Sequence, residues 1–226
     1  MKRSQINSIL TEADVFFRKH GVSLPPFAYL SPDALKAYDH SFIAQRRLGW
    51  DVTDYGMADF ARLGLVLFTL RNGTMEDLQT GRGMVYAEKL LISRLSQISP
   101  MHRHVLKTEY IINRAGGTLV LQLFASTPDG SRDPQAPVSV VCDGIVRRVP
   151  AGGKLKLSPG ESVTLRPGDW HAFWAEDEDC LVGEVSTVND DETDNIFDPA
   201  LPRFARIEED VNPLRLLVSD YQHFLA

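Results

Sequence analysis

The chain has 226 residues and a formal net charge of -6, with 24 Lys and Arg against 30 Asp and Glu. That balance, with no run of Lys or Arg, excludes the basic surface that a nucleic-acid partner requires. At 43% hydrophobic and 24% charged residues the composition is that of an ordinary globular chain with a substantial core, and no apolar stretch reaches the ~20 residues that cross a bilayer.

The N-terminus, MKRSQINSIL, lacks the continuous apolar segment of a signal peptide, so the expected compartment is the cytoplasm. Ile6, Ile9, Leu10, Ala13, Phe16 and Phe17 recur at helical spacing and Gly21 is placed to stop a first helix. LPPFAYL breaks the regularity. Ser31 then offers an N-cap with Pro32 at the first position of a second helix. From about Gly64 the pattern becomes one of short segments rich in β-branched residues: GLVLFTLRNG, MVYAEKLLISRL, TLVLQLFAS, VSVVCDGIVRRV, LKLSPGESVTLRPGDWHAFWA and CLVGEVSTV. Gly, Pro, Asp and Asn punctuate them, and Asp143-Gly144 marks a hairpin. This rhythm predicts an antiparallel sandwich or barrel. The tail, NPLRLLVSDYQHFLA, reads as a further strand or a capping element. Cys142 and Cys180 are too few for a disulfide framework and read as small buried hydrophobes. The expectation is a mainly β chain, residues 1–226 forming one domain and residues 1–60 a mainly helical extension.

Chemistry is concentrated in SPMHRHVLKTEYIINRAGG. His102 and His104 are two apart, so on a strand both imidazoles share one face, the interior if the sheet closes. Glu109 follows five residues after His104, and His171 comes after the Pro167-Gly168 turn. Three imidazoles and one carboxylate form a mixed nitrogen and oxygen set, suited to Mn, Fe, Co, Ni or Zn rather than to a Cys-rich structural zinc site.

The spacing His102-x-His104, four residues, Glu109, six residues, Gly116 matches the first cupin motif, and PGDWH resembles the second. Ser96 stands where the first motif usually begins with Gly, and Arg166 and Ala175 replace the Pro and Asn often found in the second. A wider resemblance, through MKRSQIN, LPPFAY, EKLLISRLSQISPMHRHVLKTEYIINRAGG and GEVSTVNDDETDN, is to the D-lyxose isomerase family. It implies a cupin-type antiparallel β-barrel (jelly roll) and a divalent metal, typically Mn2+, bound by His102, His104, Glu109 and His171. It further implies interconversion of D-lyxose and D-xylulose, with D-mannose and D-fructose as further substrates. Cupins are often dimers, so a homodimer is expected.

Aldose–ketose isomerisation moves a proton between C2 and C1 and needs charge stabilised on O1 and O2, which a divalent ion coordinated by both supplies. An enediol path adds a general base. Lys89, on a strand pattern amid apolar residues, is the candidate for stabilising the oxyanion. Glu184, amid apolar strand residues, is expected to have a raised pKa and to shuttle the proton. Glu208 is a second candidate, not separable from Glu209. Asp190, with Asp191 and Asp194, and Phe173, on the face of His171, are candidates for contacting the sugar, with Arg203 and Arg215 behind them. An iron-dependent cupin dioxygenase and a non-enzymatic sugar-binding cupin are the alternatives. A lysine and several carboxylates near the metal oppose the first, and the absence of a DNA-binding helix-turn-helix opposes the second.

Overall fold

The computed structural model describes residues 1–225. Helix α1 (Arg3–Lys19) is followed by a 3-10 turn (Pro26–Tyr29), α2 (Pro32–Lys36) and α3 (Ser41–Arg46). Strands β1 (Gly49–Thr53) and β2 (Leu65–Asn72), helix α4 (Met75–Thr80), β3 (Tyr86–Ser93), β4 (Ser99–His104) and β5 (Glu109–Ser126) come next. Then follow β6 (Arg132–Asp133), β7 (Val138–Cys142), β8 (Ile145–Val149), β9 (Lys154–Leu157), β10 (Ser162–Leu165), β11 (Trp170–Thr187), β12 (Asn195–Phe197) and α5 (Tyr221–Phe224). The helix signals work as read. Ser31 Oγ accepts from Ala34 N at 3.2 Å, and Gly21 takes φ +75° after α1. Residues 1–60 hold the three helices but also β1, which pairs with β2 and belongs to the sheet.

The strands run antiparallel in the order β1-β2-β3-β11-β5-β10-β7-β8, with β4 on β11, β12 on β4, and β6 and β9 on β5. Strands β5 and β11, 18 residues each, bind the two halves together. The first half of β11 pairs with the second half of β5 and with β4; its second half pairs with β3 and the first half of β5. The bend falls where the register shifts between Glu176 and Cys180. Opposite it stands Gly116, at φ +94°, where a Cβ would lie 2.0 Å from the Asp179 carbonyl oxygen. Only glycine fits that crossing.

Alternation sorts the strands into two cores. Leu65 and Leu67 of β2, Leu91 of β3, Ile111 of β5 and Val182 of β11 fill the barrel interior. Their neighbours Val66, Phe68, Ile92 and Leu181 face outward, under Ile6, Ile9, Leu10, Ala13 and Phe17 of α1. Both faces of β1 and β2 are therefore covered, which is why β1 is buried throughout. Asp143 (φ 50°) and Gly144 (φ 83°) turn the β7–β8 hairpin, with Cys142 opposite Ile145. Both cysteines are buried and free. The tail caps the barrel: Leu217 bridges Trp50, and Asp220 binds the buried guanidinium of Arg3. Among the described residues no helix is long and apolar enough to cross a membrane.

Candidate metal and sugar site

Alternation along β4 turns His102 and His104 to one face, and His171 lies opposite His102 in the β4–β11 register. The turn before His171 is built for its sequence. Asp169 N donates to Arg166 O at 3.0 Å across Pro167 and Gly168, and Gly168 supplies φ +89°. Ser96 takes φ +59°, so the serine that replaces the expected glycine keeps a left-handed backbone. Beyond His104 the chain bends through Val105–Thr108 and re-enters the barrel at Glu109.

One nitrogen from each of His102, His104 and His171 lies within 4.8 Å of the others. Glu109 Oε1 stands 3.4 Å from His104 Nε2 and 3.1 Å from His171 Nε2. His102 Nδ1 and His171 Nδ1 lie 2.8 and 3.0 Å from the carbonyls of Pro100 and Asp169. Those contacts fix the tautomer with a proton on Nδ1 and leave Nε2 as a lone pair. Burial lowers the pKa of His102 and His104, favouring the neutral form that a metal ligand needs. His104 Nε2, His171 Nε2 and Glu109 Oε1 are buried without a hydrogen-bond partner. Orphaned buried acceptors are costly unless something else binds them, and three converging here fit a divalent cation.

These four residues form one end of a cavity that Lys89, Lys107, Glu184, Asp191 and Arg203 also line. Beside them is a buried charge network. Lys107 Nζ lies 2.7 Å from Glu109 Oε2 and 2.8 Å from Glu184 Oε1. Lys89 Nζ donates to Asn189 Oδ1 at 2.7 Å and stands 3.6 Å from Glu184 Oε1 and 3.9 Å from Asp191 Oδ1. Asn189 is held in turn by Asn72, whose amide group exchanges hydrogen bonds with its backbone at 2.9 Å each way. Asp194 accepts from the backbone N–H groups of Val105, Leu106 and Lys107 at 3.0, 2.6 and 3.1 Å, and so fastens the bend that carries Lys107.

Of the residues singled out in the sequence, the three histidines, Glu109, Lys89, Glu184 and Phe173 all line this cavity. Two do not. Glu208 exchanges backbone hydrogen bonds of 2.8 Å with Arg3 and Met1 and lines a separate cleft with Met1, Asp54 and Arg206. Its neighbour Glu209 pairs with Arg3 at 2.6 Å. The chain start binds the Glu208 backbone and the Glu209 carboxylate, contacts across about the whole chain that no local pattern announces. Asp190 instead caps its own turn, accepting from Glu192 N, Thr193 N and Thr193 Oγ1; the cavity residue is the next one, Asp191. The expected upward shift of Glu184 is also reversed. Burial pushes its carboxyl up, but Lys107 and Lys89 outweigh that and hold it below the usual range.

Sequence reasoning passed over Lys107, Asn189, Tyr55 and Asn195, and ranked Arg203 low. Lys107, Glu109 and Ile111 recur with period two, so a signal for Lys107 existed. Arg203 lies in an irregular segment that has no period to read.

A family model described as D-lyxose isomerase matches residues 1–221. A D-lyxose/D-mannose isomerase of Serratia proteamaculans is 47% identical, covering 100% of both chains. One of Escherichia coli O157:H7 is 44% identical, covering 99% of this chain and 100% of the relative. Among solved structures, a Cellulomonas parahominis L-ribose isomerase with L-ribose has a TM-score of 0.60 at 17% identity, covering 92% of this chain and 98% of that one. At that identity the likeness bears on the fold alone.

Proposed function

The chain belongs to the D-lyxose isomerase family, and from that premise we propose that it is an aldose–ketose isomerase interconverting D-lyxose and D-xylulose, and D-mannose and D-fructose. The observation that carries the reading is the juxtaposition in one cavity of a three-histidine, one-glutamate cluster with Glu184, Lys89 and Lys107.

His102, His104, Glu109 and His171 are the residues that would hold the ion, manganese in this reading. When bound, a divalent cation supplies Lewis-acid stabilisation of charge on the sugar's carbonyl and hydroxyl oxygens. Glu184, ionised between two lysines, takes the proton from C2 of the aldose and returns it to C1, while the O2 hydroxyl proton passes to O1 and O2 becomes the carbonyl oxygen of the ketose. Lys89 Nζ donates a hydrogen bond to the oxygen on which charge develops. Lys107 fastens Glu184 beside Glu109 and keeps the base fixed relative to the ligand cluster. Phe173, on the interior face with His171, presents an apolar ring to the sugar's carbon face. The buried lysines and carboxylates tell against an oxygen-activating cupin, which favours an apolar pocket.

The cytoplasm is the proposed compartment and a homodimer the proposed form. Tyr110, Val185 and Tyr86, exposed on the outer face of β5, β11 and β3, support the latter. The test is a panel of aldoses and ketoses with Mn2+, followed for interconversion before and after chelation. Activity should vanish with the ion and return on readdition. Full turnover in protein shown to be metal-free would reject the mechanism.

A further inference from the structure

We propose that Arg203 is a specificity residue: its guanidinium binds a hydroxyl on the sugar carbons beyond C2, with Asp191 as the acceptor beside it. The inference rests on the isomerase reading and deepens it by dividing the cavity into a reacting end and a recognition end.

The argument begins with hydrogen-bonding capacity. Among the cavity-lining residues described, the buried side-chain atoms without a partner are both ring nitrogens of His104, His171 Nε2, Glu109 Oε1 and Arg203 Nη1. The two Nε2 atoms and the carboxylate oxygen belong to the ligand cluster, and His104 Nδ1 lies 3.6 Å from Asp194 Oδ2. One donor remains unexplained, Arg203 Nη1. A charged donor left dry is among the costlier arrangements in a folded chain. Its retention makes sense when a ligand completes it.

The guanidinium is fixed in place. Nε donates to Asp191 Oδ1 at 3.2 Å, Nη2 forms an ion pair with Asp51 Oδ2 at 2.8 Å, and the Phe204 ring centroid lies 5.1 Å from Cζ. The Arg203 carbonyl accepts from Thr53 Oγ1 at 2.8 Å, tying the segment after β12 to β1. Held on three sides, Arg203 has the two N–H donors of Nη1 to offer and little freedom in where it offers them. Guanidinium does not lose its proton in proteins, so its contribution is binding and not proton transfer. A sugar hydroxyl is both acceptor and donor. Arg203 Nη1 satisfies the first capacity and Asp191 the second. Burial opposes the charge on Asp191, but Arg203 and then Lys89 and Lys107 hold its carboxyl well below the usual range, so it is an acceptor at neutral pH.

Position along the cavity assigns the carbons. The ion pairs run from Glu109 to Lys107, Glu184, Lys89, Asp191 and Arg203 in sequence. With Glu184 and Lys89 over C1 and C2, Arg203 lies at the other end of this chain of contacts, over C4 or C5.

The experiment compares kcat/KM, corrected for the open-chain fraction, for D-xylulose, 4-deoxy-D-xylulose and 5-deoxy-D-xylulose in the manganese-loaded wild type and in Arg203→Met and Arg203→Lys. The wild type should lose about 10²-fold on one of the deoxy sugars, because the site's polar groups are then left unpaired. In Arg203→Met the parent sugar should fall by a similar factor, and its advantage over that deoxy sugar should shrink towards one. Arg203→Lys, which keeps the charge but not the fork, should fall between. A merely structural role would lower all three sugars together and leave their ratios unchanged; that result, or a wild type indifferent to both deletions, overturns the proposal. Should Arg203→Met fail to fold, the wild-type ratios and Arg203→Lys decide it. A wild type with no turnover of D-xylulose itself would overturn the isomerase reading, and this inference with it.

Discussion

Replacing Lys107 by methionine keeps much of the side chain's volume and removes one buried charge. In the wild type that ammonium sits within 2.8 Å of two carboxylates, and all three side chains are almost wholly buried. Breaking a buried pair by deleting one partner costs about 3–5 kcal/mol, because the other charge is left uncompensated. At ~2–4 °C per kcal/mol for a chain of this size, the metal-free variant should melt about 6–20 °C lower. The deficit should depend on pH, with a sign that Glu184 sets. Its carboxyl is depressed in the folded protein, so its stabilising contribution is present above the unfolded value of about 4.3 and is lost as pH falls through the folded value. In Lys107→Met the larger of the two charges that depress it is gone and Lys89 alone remains. The gap between the two proteins should therefore be full above about pH 5 and narrow as the pH falls below about 4.3. Urea unfolding of both proteins, stripped of metal, at several pH values measures this directly. A gap that stays the same across the range would mean that Lys107 matters through packing alone and that the charge network is misread.

Lys89→Ala should lower kcat by about 10²-fold, the typical loss for one oxyanion donor, with metal content unchanged by elemental analysis; an unchanged rate would put Lys89 outside the reaction. Glu184→Gln, which keeps the shape and removes the base, should cut kcat by about 10²–10⁴-fold. Deuterium at C2 of the aldose should still be lost at the wild-type rate only if another group removes that proton. Glu208→Gln should leave kcat and KM within about twofold, since that side chain lines a different cleft, and a large loss would contradict its placement.

How much was legible in the sequence depended on the range of the contacts involved. The barrel was readable because alternation and turn chemistry are local: Asp143-Gly144, Pro167-Gly168 and the His102-x-His104 pair each carry their conformation within a few residues. The convergence of His102, His104, Glu109 and His171 was readable because these residues sit on strands whose period fixes the face. β1 was less so, because Trp50 and Val52 face α1 while Asp51 and Thr53 face the barrel. Burial on both sides removes the polar–apolar contrast that marks a strand. Glu208 looked eligible because sequence gives no sign that the N-terminal backbone will pair with it. Asp190 and Asp191 differ by one position in an irregular loop, where no period says which carboxylate turns inward. The pKa of Glu184 was misjudged because burial was visible in its neighbours, whereas Lys107, 77 residues away, was not.

The cavity's charges argue for a cation independently of any motif. Glu109, Glu184 and Asp191 line it, with Asp51 and Asp194 directly behind Arg203 and His104. Against them stand Lys89, Lys107 and Arg203, and His102 and His104 are held neutral by burial. The cluster is thus short of positive charge, and the shortage falls where orphaned acceptors converge. Burial pushes Asp51 above its usual value, as expected where compensation is incomplete. A divalent ion between the histidines and Glu109 would redress the shortage and place positive potential at the reacting end, where a sugar becoming an enediolate gains negative charge. A site built only to hold a neutral sugar has no use for that potential, because uncharged hydroxyls gain little from it. The excess of buried acid around three imidazoles therefore favours turnover over storage or sensing, since charge that develops only in the transition state is what such a field stabilises preferentially.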